Sequence, residues 1–197
     1  MSRTRKAAWI AALALAIGAL GAGTASAASF QFDPGGRITG TSLGVVTFSG
    51  SGITITCPVT LSGTVTSAVV EKRSGATYGA VTSVRIGRCS GGTVAVLNLP
   101  WSVTYDSILG TLPSAVTGVA LTVNGTGVAL TFSGITCLYG GTVSSLLAVT
   151  GSNPYRTTLY TLPANSIPLV SGGFLCPRSG SMSGTFAISP TQTVTRI

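Results

Sequence analysis

Four cysteines, Cys57, Cys89, Cys137 and Cys176, are the residues of this chain best placed to do defined chemistry. Such a set can form disulfides or bind zinc. Zinc sites draw their thiolates from close C-x₂₋₄-C pairs, whereas every gap between successive cysteines here exceeds 30 residues. The first six residues, MSRTRK, carry three bases. An apolar, Ala-rich run over 7–23 follows, then Thr24-Ala25-Ser26-Ala27. That order is a bacterial-type secretory signal peptide over 1–27, with cleavage expected after Ala27. The apolar run is 17 residues, short of the roughly 20 that a spanning helix needs. An exported chain meets an oxidising compartment, so disulfides are the expectation. Four cysteines allow three connectivities.

Other reactive groups are scarce. The chain has no histidine, the usual base of Ser and Cys hydrolases and a common metal ligand. Its acids are Asp33, Glu71 and Asp106, each beside a turn signal, and glycoside cleavage needs two facing carboxylates. Asp106, close to Trp101 and Tyr105, is the least bland of the three. Lys72, the one lysine after the leader, lies in the polar tip EKRSG, 71–75, where a Ser–Lys dyad would be exposed. No Gly-rich segment has the strand-to-helix setting of a nucleotide loop. The expectation is therefore no catalytic residue, no metal, no cofactor and no enzyme. Removing Arg3, Arg5 and Lys6 with the leader takes the net charge from +8 to +5. The remaining bases are scattered and lack the dense stripe of a nucleic-acid site. Trp101 and Tyr105 stand on one face of an alternating segment, as sugar-stacking rings do. They are the candidate ligand-binding pair, with core packing of amphipathic rings as the alternative.

The elements that would hold these residues are strands. Beyond the leader, short alternating segments are punctuated by Gly, Pro, Ser and Asn, the pattern of a sandwich or barrel. Phe30/Phe32, Ile53/Ile55/Cys57, Trp101/Val103/Tyr105 and Met182/Phe186/Ile188 each alternate. Within 116–137, Asn124-Gly125 separates two alternating arms and predicts a two-residue type I′ hairpin. Val119, Leu121, Val123, Thr126, Val128 and Leu130 would then share a core face, opposite Ala120, Thr122, Gly127 and Ala129. A stretch around Pro163 and Pro168 reads as Pro-broken. The fold expected is all-β: an antiparallel sandwich or barrel of about a dozen short strands, disulfide-stapled, in one domain over 28–197. Two weakly matched halves, 28–115 and 116–197, are suggested by Ile55-Thr56-Cys57 and Ile135-Thr136-Cys137, each followed by a Gly-Thr-Val strand and a second cysteine. Matched halves favour Cys57–Cys89 and Cys137–Cys176. Compositional similarity of Gly-Thr-Val strands is the alternative.

FSGSGITITCPVTLSGTV (48–65), followed by Cys89 and by Leu99-Pro100-Trp101-Ser102-Val103, resembles the small secreted bacterial alkane-oxidation activators of the Pra type. The resemblance covers roughly 40–140. It implies a signal peptide, Thr/Ser/Gly-rich β segments, widely spaced cysteines, a link to growth on hydrophobic substrates and a non-enzymatic role. EKRSG and the Pro-containing 151–170 depart from that pattern. The leading expectation is a secreted, non-catalytic β protein at the cell surface or in the extracellular matrix, in contact with hydrophobic substrates. Its partners would be cell-surface polymers, hydrophobic compounds or copies of itself. A carbohydrate- or lipid-binding module and an outer-membrane β-barrel are the alternatives.

Overall fold

The computed structural model describes residues 29–66, 69–111 and 115–197, so the expected leader, 1–27, lies outside the described residues. Fourteen strands make up the described chain. They are β1 (Phe30–Asp33), β2 (Gly36–Ser42), β3 (Val46–Gly50), β4 (Ile53–Cys57), β5 (Val59–Val65), β6 (Val69–Val70) and β7 (Thr77–Ile86). Then come β8 (Thr93–Leu97), β9 (Trp101–Thr111), β10 (Ala115–Phe132), β11 (Ile135–Thr150), β12 (Tyr155–Ser171), β13 (Ser179–Ser189) and β14 (Thr193–Arg196). Strands β2, β5, β7, β9, β10, β11, β12 and β13 pair antiparallel in that order, and β13 returns to β2. The sheet thereby closes into an eight-stranded barrel with extra strands, and closure removes the exposed edges of an open sheet.

The strands are not uniformly short. β10, β11 and β12 contain 18, 16 and 17 residues. They outrun β2, β5, β7 and β9, and shorter strands cover the excess. β8 pairs with β10 from Gly127 to Thr131, beyond the point where β9 stops at Asn124. β3 pairs with β13 around Met182, beyond the reach of β2, and β4 pairs with β3. A bridge between Thr56 and Ser90 ties β4 to the segment leading into β8. The barrel therefore has a second storey at one end, and two hairpin turns sit there. Ser51-Gly52 joins β3 to β4 with φ of 47° and 82°, and Ser133-Gly134 joins β10 to β11 with φ of 47° and 77°. Positive φ at both positions is what a type I′ turn requires.

The hairpin expected at Asn124-Gly125 is absent. Both residues lie inside the continuous strand β10, and the turn falls nine residues later, at Ser133-Gly134. Val123 faces Val143 and Thr126 faces Gly141 on β11, so Asn124-Gly125 forms a bulge. Gly125 alone of the pair has positive φ, 71°. A bulge inserts one residue and flips the inward parity. Hence Val119, Leu121, Val123, Val128 and Leu130 do share the buried face, although they do not pair with one another. The segment expected to be Pro-broken is likewise one strand, β12. Pro163 falls in an irregularity between Leu162 and Asn165, where Asn165 takes over the role of backbone. Its Oδ1 accepts from the Ser144 N–H at 2.8 Å and its Nδ2 donates to the Ser144 carbonyl at 2.8 Å.

At the opposite end, β14 pairs with the start of β12, β1 with β14, and β6 with β1. β1 carries Phe30 against Tyr105, with centroids 6.4 Å apart, and Phe32 edge-on to Tyr78 at 4.9 Å, closing that end of the interior. The connection into β14 is fastened by Gln192, which is fully buried. Gln192 accepts from the Tyr78 hydroxyl at 2.8 Å and donates through Nε2 to the Pro34 carbonyl at 3.0 Å. Its backbone exchanges hydrogen bonds with Thr157. A buried amide with every group paired fixes a unique arrangement at little net cost.

Candidate functional site: the apolar lumen and the disulfide-pinned end

Alternation sorts the barrel wall into two surfaces. Val119, Leu121, Val123, Val143 and Leu147 turn inward and are essentially inaccessible. Thr122, Thr131, Thr142 and Ser144 turn outward. The interior is apolar and the exterior is rich in hydroxyls.

Cys57 bonds to Cys89 and Cys137 to Cys176, the pairing favoured by the matched halves. The two crosslinks are built alike. Each joins the strand descending from a Ser-Gly turn to the loop that precedes β8 or β13, so both staple the second storey. The loop held by Cys176, between β12 and β13, carries Gly172-Gly173-Phe174-Leu175. Phe174 is 96% exposed and Leu175 54%, and Val170, at the end of β12, is 68% exposed. The sequence reads Phe174 to Cys176 as one more short strand, but the segment is a turn between β12 and β13. The available signal was an apolar pair in a Gly/Pro loop beside a cysteine.

Trp101 and Tyr105 do share one face of β9, but it is the inward face, and both rings are buried. The Trp101 indole N–H donates to the Leu97 carbonyl at 2.8 Å. Tyr105 packs against Phe30, and desolvation, then nearby Asp106, raises its pKa. This is the packing role of amphipathic rings. The acids stay outside. Glu71 pairs with Arg73 at 3.4 Å between two exposed side chains. Asp106 accepts from the hydroxyls of Ser74 at 3.3 Å and Ser107 at 3.2 Å. Lys72, Ser74 and Asp106 line one open surface groove of about 330 Å³.

Two apolar cavities lie inside the barrel. One, of about 50 Å³, touches Ile38, Tyr78, Leu121, Leu147 and Ile188. The other, of about 30 Å³, touches Val84, Val96, Trp101, Val123 and Val143. Leu61, Val81 and Tyr160 line both. Burial pushes the Tyr160 phenol up to about 12, and a hydrogen bond with Ser145 partly opposes that. Tyr78 is raised further, by desolvation first and by nearby Tyr160 second, with the Gln192 hydrogen bond opposing both. These phenols are neutral, hydrogen-bonded parts of the interior and have no character of acids or bases near neutral pH.

Fold and site together define a class: a disulfide-stapled, closed antiparallel β-barrel with an apolar lumen, a hydroxyl-rich wall and an apolar tip. The chain belongs to the PraA/PraB-like alkane oxidation protein activator family, whose model matches residues 1–196. That match extends well past the 40–140 segment in which the resemblance was first legible. No curated protein and no solved structure matches the chain.

Proposed function

We propose that this protein works outside the cell, at its surface or in the surrounding matrix, as a non-catalytic contact with hydrophobic substrates. The observation that carries the reading is the disulfide-pinned tip, where Phe174 is 96% exposed beside Leu175. Adjacent on one exposed tip, the Phe174 and Leu175 side chains favour an apolar phase over water by roughly 25 cal/mol per Å² removed from water. Membership of a family named for activating alkane oxidation supports a hydrophobic substrate. Two disulfides support an oxidising location. The outward Thr122, Thr131, Thr142 and Ser144 favour an aqueous surface over the membrane-barrel alternative, whose lipid-facing positions are apolar. The buried rings of Trp101 and Tyr105 favour this reading over a sugar-stacking module.

The test is adsorption to hexadecane droplets. Wild-type protein is expected to collect on the droplets and lower the interfacial tension. The double variant Phe174→Ser, Leu175→Ser, altered only on an exposed loop, is expected to lose most of that adsorption while melting normally. Equal adsorption of the two proteins, or none by the wild type, overturns the reading.

A further inference from the structure

The two cavities are stacked along the barrel axis. On β10 the first meets Leu121 and the second Val123 and Val128; on β11 the first meets Leu147 and the second Val143. On β7 the first runs from Tyr78 to Val81 and the second from Val81 to Ile86. Leu61, Val81 and Tyr160 touch both, so joining the two past these side chains would give one long, narrow apolar space. The lumen is also packed unequally. Ile38, Leu61, Val81, Val84, Ile86 and Ile188, from β2, β5, β7 and β13, are only partly buried, although Val59, Tyr78, Met182 and Phe186 on those strands are buried like the facing residues of β10 and β11. An eight-stranded barrel is at the size where side chains either fill the interior or leave room for one small ligand.

We infer that this lumen is a binding site for a neutral, linear, saturated hydrocarbon chain, lying along the β2–β5–β7 wall with Leu61 and Val81 displaced. The choice of chain rests on the reading above that the protein works on hydrophobic substrates; the site itself rests on the cavities. Neutrality follows from the lining, which holds no Lys, Arg, Asp or Glu. A carboxylate or ammonium head would lose its water and gain no partner. The buried polar side chains are engaged: Tyr160 with Ser145, the Ser145 hydroxyl with the Leu121 carbonyl at 3.1 Å, Thr126 with the Gly141 carbonyl at 2.7 Å, and Tyr78 with Gln192. Linearity follows from the axial stacking. At about 50 and 30 Å³ the cavities as they stand hold neither a ring nor a chain, since ~150 Å³ accommodates benzene, so a ligand enters only as side chains between them move aside. A slender chain can thread between side chains that rotate aside, and a ring cannot.

The experiment is a methyl-resolved NMR titration of the purified, disulfide-bonded protein with n-hexane, and in parallel with hexanoate and cyclohexane. Saturable shifts are expected at the methyls of Ile38, Leu61, Val81 and Ile188, with hexanoate and cyclohexane weaker by about tenfold or more. Val81→Phe fills the junction and is expected to weaken hexane binding by about tenfold. Leu61→Ala opens the junction and is expected to strengthen it, so one variant remains informative if the other fails to fold. Shifts confined to Val170 and Leu175, no saturation, or equal binding of hexanoate overturns the lumen site. If the lumen methyls stay still while the protein still coats hexadecane droplets, the site falls and the proposed surface role stands. If they titrate while droplets are ignored, the site stands and the surface role falls.

Discussion

Val123 and Thr126 both point into the barrel lumen although they are three positions apart in one strand. In a regular strand such residues face opposite sides. The bulge at Asn124-Gly125 supplies the extra residue, and each side of it is held separately. Thr126 Oγ1 donates to the Gly141 carbonyl at 2.7 Å, and Asn124 Nδ2 donates to Thr104 Oγ1 at 3.2 Å. The bulge also marks the change of storey, since β10 pairs with β9 up to Asn124 and with β8 from Gly127.

Gly125→Val is expected to cost about 1–2 kcal/mol or more, because φ of 71° is strained for a β-branched residue. A Cβ there would meet nothing within 4 Å, so the cost is conformational and not steric crowding. Gly125→Asn, which tolerates that region, should cost much less. Urea melts of the two variants make the comparison, and a silent Gly125→Val would contradict the bulge geometry.

Leu121→Ala is expected to cost roughly 2–5 kcal/mol, since the side chain is fully buried against the lumen. Thr122→Ala, next door on the outer wall, should cost well under 1 kcal/mol. Equal destabilisation of the pair in denaturant melts would mean that the wall is not apolar on one side only.

The Cys137–Cys176 bond closes a separation of 39 residues, so replacing both cysteines by serine should cost about 3–4 kcal/mol. Hydrogen exchange should accelerate first over 172–178, and droplet adsorption should fall as the tip loosens. Unchanged protection in that loop would show that the crosslink does not hold it.

Alkaline stability follows from the tyrosines. The folded pKa of Tyr160 is about 12, against about 10 in the unfolded chain, and Tyr78 is raised as well. Because the folded values are higher, the contribution is complete below pH about 10 and is lost as pH rises through the folded values. Stability should therefore be flat near neutrality as far as these groups are concerned, and then fall, by on the order of 3 kcal/mol for Tyr160. Tyr160→Phe should flatten part of that alkaline slope. Tyrosinate absorbance and urea melts over the same pH range provide the check.

Much of this was legible in the chain because it is local. Alternation identified strands. Wide cysteine spacing argued against zinc, expected export argued for disulfides, and the matched Ile-Thr-Cys segments favoured the pairing that forms. The apolar residues of 119–130 that face inward were assigned correctly even across Asn124-Gly125. A two-residue hairpin and a one-residue bulge both place the residues flanking Asn-Gly on the same face, and both admit positive φ at the glycine. Parity was therefore fixed by the residues alone.

The choice between hairpin and bulge was decided only by the tertiary structure. Backbone hydrogen bonding is the same for every sequence, so strand partners are set by what else is available to pair. β10 continues straight because β9 and β8, contributed by 101–111 and 93–97, together satisfy one edge over its length, while β11 pairs along most of the other. Closure into a barrel rests on the meeting of β13 with β2, whose paired residues Phe186 and Ser42 lie far apart in the chain. That closure also put Trp101 and Tyr105 inside: their shared face could be read from spacing, but which side of the sheet would be enclosed depended on strands distant in sequence. Phe174 is the converse case. It sits in a turn closed by the Cys176 N–H donating to the Gly173 carbonyl at 2.9 Å and pinned by the disulfide from Cys176 to Cys137, and the ring stands out in solvent.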